Sequence, residues 1–225
     1  MDKAVIHKNI PVIKPSDTFD RALKVLREMR LDGLPVVKQR KLLGVLLESD
    51  IEYHIQLENG GLDQRVDTFH FESLVTVNQD EHPYEVMKLF DRVPYSFLPV
   101  VDNDKNYLGI IFKEDVFDEL NEIFRIFEEG TVMEFEVPAT QFRLSEMIKM
   151  IEQNDAKVIS IASRPSSTTP TAQVVTTKVE ARDPFRLQQT MEKFGYPIIY
   201  SSSSSVDYLD DYAHKAQELL RYLEI

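Results

Sequence analysis

The chain has 225 residues, a net charge of −12 and a hydrophobic fraction of 43%, enough for one or two buried cores. It has no Cys, which excludes disulfides, thiolate nucleophiles and Cys-type zinc sites. The charge opposes nucleic-acid and anionic-membrane binding, no apolar run reaches the ~18–20 residues of a membrane span, and Met1 to Lys8 lacks a signal-peptide pattern, so a cytoplasmic location is expected.

Along the chain, Asn9 to Lys14 reads as extended, because Pro11 and Pro15 disfavour helix there. Ser16, Asp17 and Thr18 offer capping side chains, and Phe19, Ala22, Leu23, Leu26 and Met29 recur at helical spacing. Asp32-Gly33 is expected to end that helix. Leu34 to Val37 and Leu42 to Leu47 read as strands around a polar turn. Ser49-Asp50 opens a second helix, which Asn59-Gly60-Gly61 stops.

The same order then returns. Leu74 to Val77 is extended, Asn78 to Asp80 is a turn and cap, and Pro83 starts a helix with Tyr84, Met87 and Phe90 on one face. Strands follow at Leu98–Val101 and Tyr107–Phe112, then a helix with Val116, Leu120, Ile123 and Phe127 on one face and Gly130 as its stop. Leu34-Pro-Val-Val37 matches Leu98-Pro-Val-Val101, Gly44 matches Gly109, and Asp50 matches Asp115.

A different pattern begins at Thr131. Met133, Phe135 and Val137 alternate with Glu134 and Glu136 as in a strand. A helix is expected over Leu144–Ile151, a strand over Val158–Ile161, a polar loop over Arg164–Thr171 and a strand over Gln173–Ala181. A helix starting at Pro184 and a strand over Pro197–Tyr200 complete a βαββαβ order. Ser201–Ser205 reads as a hinge or loop. The tail from Val206 reads as an amphipathic helix with Leu209, Ala213, Ala216, Leu220 and Leu223 on one stripe, which needs a partner surface.

The paired Leu-Pro-Val-Val strands, and the paired segments Gly44 to Asp50 and Gly109 to Asp115, resemble a tandem pair of CBS domains over residues 9–120. Residues 131–200 are similar to ACT domains by element order. A CBS pair followed by an ACT domain resembles the bacterial acetoin-utilisation regulatory protein type. The resemblance implies an α+β architecture: CBS repeats over 1–65 and 66–129, a ferredoxin-like, ACT-type domain over 130–205 and a C-terminal helix over 206–225. It also implies a homodimeric regulator binding an adenosine-type ligand such as AMP or ADP between the repeats. That ligand would be relayed to the ACT-like domain. A ligand-free module that assembles with a protein partner is the alternative. The histidines have no metal-ligand spacing and no catalytic motif stands out, so no catalysis, required cofactor or metal is expected.

By that resemblance, Asp50 and Asp115 would accept hydrogen bonds from ribose. Val12, Ile13, Leu47, Val75, Thr76 and Phe112 would wall the clefts. The family usually carries Thr or Ser where this chain has Leu47 and Phe112, a hydroxyl that helps the helix N-terminus hold phosphate. One lost hydrogen bond to a charged group costs about 1.5–3 kcal/mol, roughly 10- to 150-fold in affinity. Ligands with few phosphates are therefore expected over ATP. Lys41, Arg40 and Lys113 are the candidate basic compensators. Without a ligand, both aspartates read as helix N-caps and the strands as core. The ACT-like loop Pro138–Phe142 lacks the glycine usual at the amino-acid site, so a sheet that only dimerises is the competing reading.

Overall fold

The computed structural model describes residues 5–57, 61–71, 74–140 and 142–203. The helix expected over 206–225 lies outside them. The chain divides at Ile123/Phe124 into two compact units.

The first unit holds both repeats. Thr18 caps α1 (Phe19–Met29), its Oγ1 accepting the Arg21 N–H at 3.3 Å, and Phe19, Ala22 and Leu26 turn inward. The helix closes at Arg30, which adopts the left-handed conformation (φ 53°, ψ 42°) and sends its N–H back to the Leu26 carbonyl. The stop is thus earlier than Asp32-Gly33. Gly33 instead begins β1 (Gly33–Lys38), where an added Cβ would lie 2.7 Å from the Leu47 side chain. β1 pairs antiparallel with β2 (Lys41–Leu47), Ile13 bridges β1 in parallel at Val36, and α2 (Glu48–Leu57) follows directly.

In the second repeat β3 (Val77–Asn78) lies parallel to β4 (Phe97–Val101), and β5 (Tyr107–Phe112) pairs antiparallel with β4. The cap of α3 (Pro83–Leu89) is His82, whose ring nitrogen accepts the Tyr84 N–H at 3.2 Å, rather than the Asn78–Asp80 turn. A 3-10 turn, Phe90–Arg92, follows. Both hairpins shift register at the equivalent place, between Val36 and Val37 and between Val100 and Val101. α4 (Lys113–Phe124) ends where Arg125 takes φ 53°. Phe127, expected on its inner face, lies beyond the helix and is 81% exposed.

Each repeat has its own core. Ile13, Phe19, Leu26, Leu34, Leu46 and Ile51 form one. Val77, Val86, Leu98, Val100, Ile111 and Val116 form the other, with Ile6. The segments leading into the repeats cross over. His7 exchanges two backbone hydrogen bonds with Ile110 on β5, while Phe71 lies against Gly44 on β2. Further ties link the repeats: the Tyr107 N–H to the Arg40 carbonyl at 2.7 Å, the Ser96 N–H to Asp32 Oδ2 at 2.8 Å, and Lys41 Nζ to the Asp104 carbonyl.

The second unit runs β6 (Thr131–Pro138), α5 (Leu144–Gln153), β7 (Ala156–Pro165), β8 (Ala172–Ala181), α6 (Pro184–Lys193) and β9 (Ile198–Ser201). Its four strands pair antiparallel in the order β7-β8-β6-β9. Met133, Phe135 and Val137 pack with Met147, Ile151, Leu187 and Met191, so the helices cover one face. β7 is longer than the apolar pattern Val158–Ile161 suggests, because Arg164 and Pro165 continue its pairing with β8. Pro165 is tolerated there because β7 is an edge strand. The loop proper is 166–171. Ser166 and Thr168 fasten it by donating to Glu136 Oε1 at 2.6 and 3.2 Å.

Candidate functional site

The steric demand at Gly44 and Gly109 and the strand-to-helix junctions after them position both aspartates. Asp50 and Asp115 are each the third residue of a helix, and each carboxylate reaches back one turn. Asp50 Oδ2 accepts the Leu47 N–H at 3.0 Å, and Asp115 Oδ2 accepts the Phe112 N–H at 2.8 Å. This is the returning half of a capping box, not an N-cap: the residue whose N–H is satisfied precedes the helix, and the acid sits in the first turn, where the helix dipole favours it.

Beside Asp50 is an open cleft of about 650 Å³. Repeat 1 contributes Gly44, Val45, Leu47, Asp50 and Tyr53. The joining segment contributes Thr68 to Phe71, and repeat 2 contributes Leu74 and Arg92 to Tyr95. Phe69 and Phe71 meet edge to face at 5.1 Å, and Tyr95 lies 5.2 Å from Phe97. Burial, aided by the negative charge of Asp32, pushes the Tyr95 hydroxyl above the ordinary phenol value. The cleft is thus lined by the acid Asp50, by aromatic residues and by Arg92 from the opposite repeat. The volume lies within the usual range of small-molecule sites, roughly 300–1,000 Å³.

Among the expected wall residues, the structure brings Leu47 to this cleft. Ile13 does not line it: its backbone pairs with both Pro35 and Val37, which draws its side chain into the first core at 1% exposure. Val75 packs on the second core, and Val12 and Thr76 are half-buried away from the cleft lining. The basic compensators also lie elsewhere. Lys41 is bound to the Asp104 carbonyl, Arg40 faces Asp102 at the hairpin turns, and Lys113 is exposed. Sequence reasoning missed Arg92, Tyr95 and Tyr53.

At the other repeat Asp115 has a second partner. His7 Nε2 lies 2.9 Å from the same oxygen, Oδ2, that accepts the Phe112 N–H. The imidazole stands edge to face on Phe112 at a centroid distance of 5.0 Å. Phe112 is thus covered by the chain's own residue.

Residues 3–56 and 67–122 each match the CBS domain family. The chain is 30% identical over 115 residues to an inosine-5'-monophosphate dehydrogenase of Korarchaeum cryptofilum, covering 51% of this chain and 23% of that enzyme. It covers less than two thirds of the curated relatives it matches. Among solved structures, CBSX2 in complex with AMP, a CBS-pair protein of Arabidopsis thaliana, is 26% identical with a TM-score of 0.45 over 53% of this chain and 93% of that one. A CBS domain pair/ACT domain protein of Thermotoga maritima is 21% identical with a TM-score of 0.47 over 54% and 96%. The first unit carries a tandem pair of CBS domains. Among the described residues no helix is long and apolar enough to cross a membrane. No group of three or more His, Cys, Asp or Glu there could hold a metal ion.

Proposed function

We propose that the chain is a non-catalytic regulatory sensor that takes an adenosine-type nucleotide with few phosphates, AMP or ADP, in the cleft beside Asp50. The observation that carries this is that Asp50 from one repeat and Arg92 from the other line the same cleft of about 650 Å³. Asp50 would accept the ribose hydroxyls, the aromatic walls would hold the base, and Arg92 would meet the phosphate that Leu47 has no hydroxyl to bind. A ligand held at both ends would favour whichever arrangement of the repeats keeps the two groups in reach. The antiparallel order β7-β8-β6-β9 supports reading the second unit as an ACT-like domain that receives this signal and pairs with a second copy. The dimer and the relay are parts of the proposal.

Thermal denaturation with AMP, ADP, ATP, adenosine and S-adenosylmethionine tests it. At about 100 times Kd, binding adds about 2.7 kcal/mol and raises Tm visibly. AMP or ADP is expected to give the largest shift, and Arg92→Ala is expected to reduce it more than it reduces any adenosine shift. Silence with every compound at millimolar concentration would refute the nucleotide reading. The His7 contact at Asp115 favours one second reading, an assembly module whose clefts hold no ligand, and that reading predicts such silence.

A further inference from the structure

The sheet of the second unit has two edges among the described residues, β7 and β9, and they are built differently. An edge strand offers a row of unpaired backbone groups to any strand that approaches, and edges that stay single are guarded by charge or proline. β7 is guarded: Lys157 and Arg164 are exposed near its two ends and Pro165 closes it. β9 has neither a charged residue nor a proline, and from Phe194 to Val206 the sequence holds no Asp, Glu, Lys, Arg or His. Both strands shift register against their inner neighbour, so a bulge does not distinguish them. Ile199 and Tyr200 stand at the β9 shift and are 50% and 52% exposed. We propose that β9 is where a second copy of this chain docks, edge to edge and antiparallel about a twofold axis, joining two four-stranded sheets into one. The proposal deepens the reading above in which the second unit pairs with a second copy, and it rests on that reading.

Charge selects the occupant. At a net charge of −12 two copies repel, and they approach most readily where neither carries charge. A twofold contact sets a surface against itself, so a charged edge is opposed by its own sign. Antiparallel pairing about the middle of β7 would place Lys157 opposite Arg164 of the second copy at both ends of the ladder. Arg164 reaches Glu134 at 3.4 Å, yet its side chain stays 51% exposed. The same pairing about the middle of β9 places Ile199 opposite Tyr200 of the second copy, an aliphatic–aromatic pair of the kind that stabilises neighbouring strands. The edge is also held ready. Beyond β9 the Ser202 N–H donates to the Val132 carbonyl at 2.9 Å, and the Val132 N–H donates to Ser202 Oγ at 3.0 Å. Gln188 on α6 donates to the Ser203 carbonyl at 3.2 Å and to its Oγ at 2.6 Å. An incoming strand therefore meets a fixed edge and has little to order on binding.

The chain has no Cys, so a single introduced thiol is unique. In the full chain, Tyr200→Cys treated with a short bismaleimide is expected to give a covalent dimer, and Ser163→Cys, on the β7 edge, is expected to stay single. Sedimentation velocity is expected to give a dimer for wild type and a monomer for Ile199→Lys, which sets an ammonium on each side of the axis. The cross-link decides alone if Ile199→Lys misfolds by circular dichroism. With a dimeric wild type, no cross-link in Tyr200→Cys, a cross-link in Ser163→Cys, or a folded Ile199→Lys that stays dimeric would each overturn the proposal and leave the pairing reading standing on another surface. A monomeric wild type would overturn both. If removing residues 206–225 from that monomer then lets Tyr200→Cys cross-link, the occupant of the edge is the chain's own tail.

Discussion

Tyr107 carries a buried hydroxyl with no hydrogen-bond partner among the described residues. Burial alone pushes its ionisation far above the ordinary phenol range. A buried polar group without a partner costs about 1–3 kcal/mol, and removing it relieves that cost. Tyr107→Phe is therefore expected to raise Tm by roughly 2–4 °C per kcal/mol regained, read by calorimetry; a fall would mean that the hydroxyl is satisfied in solution. Single residues also mark where the sequence was readable. Asp50 and Asp115 were legible as a pair because both copies need an acid in the first turn of the closing helix. Arg92, Tyr95 and Phe71 were not, because their counterparts 64 residues earlier are Glu28, Leu31 and His7. Agreement between copies marks the shared scaffold. Beyond Asp50, the cleft draws its chemistry from positions where the copies disagree, and a comparison that looks only for matches passes over them.

At the scale of elements, hydrophobic periodicity located the helices and strands, because burying one face is what makes each of them stable. It failed where other forces set the ends. α1 closes by the left-handed turn at Arg30, and α4 stops before Phe127, although the apolar pattern runs on in both places. β7 extends through polar residues because the ladder to β8, not burial, holds them. The loop after it is tied to β6 at Glu136. The hydrogen bond from Ser166, helped by those from Thr168 and Thr169, draws the Glu136 carboxyl below its ordinary value. A carboxyl lowered in the folded state stabilises above its unfolded value of roughly 4.3, and that stabilisation is lost as pH falls through the folded value. Ser166→Ala is expected to move the Glu136 titration, followed by side-chain carboxyl NMR, up toward the ordinary value. An unmoved titration would show that the loop contact does not persist in solution.

At the scale of the molecule, the cores of the first unit and the core of the second share no residue. A fragment of residues 1–129 is therefore expected to fold without residues 130–225, with dispersed methyl NMR signals and a single cooperative melt. A fragment without such dispersion would show that the second unit is needed to complete the first. Within the first unit the repeats are not separable in that way. A half-length chain ending near residue 65 would carry the segment that packs on its missing twin and lack the one that packs on itself. Two such half-chains would complete one another by exchange, each lending its leading segment to the other. Joined head to tail, the same exchange takes place inside one polypeptide, and the two borrowed positions become free to diverge. His7 and Phe71 hold those two positions: in a tandem pair the interlock is intramolecular, and its two borrowed residues carry different chemistry.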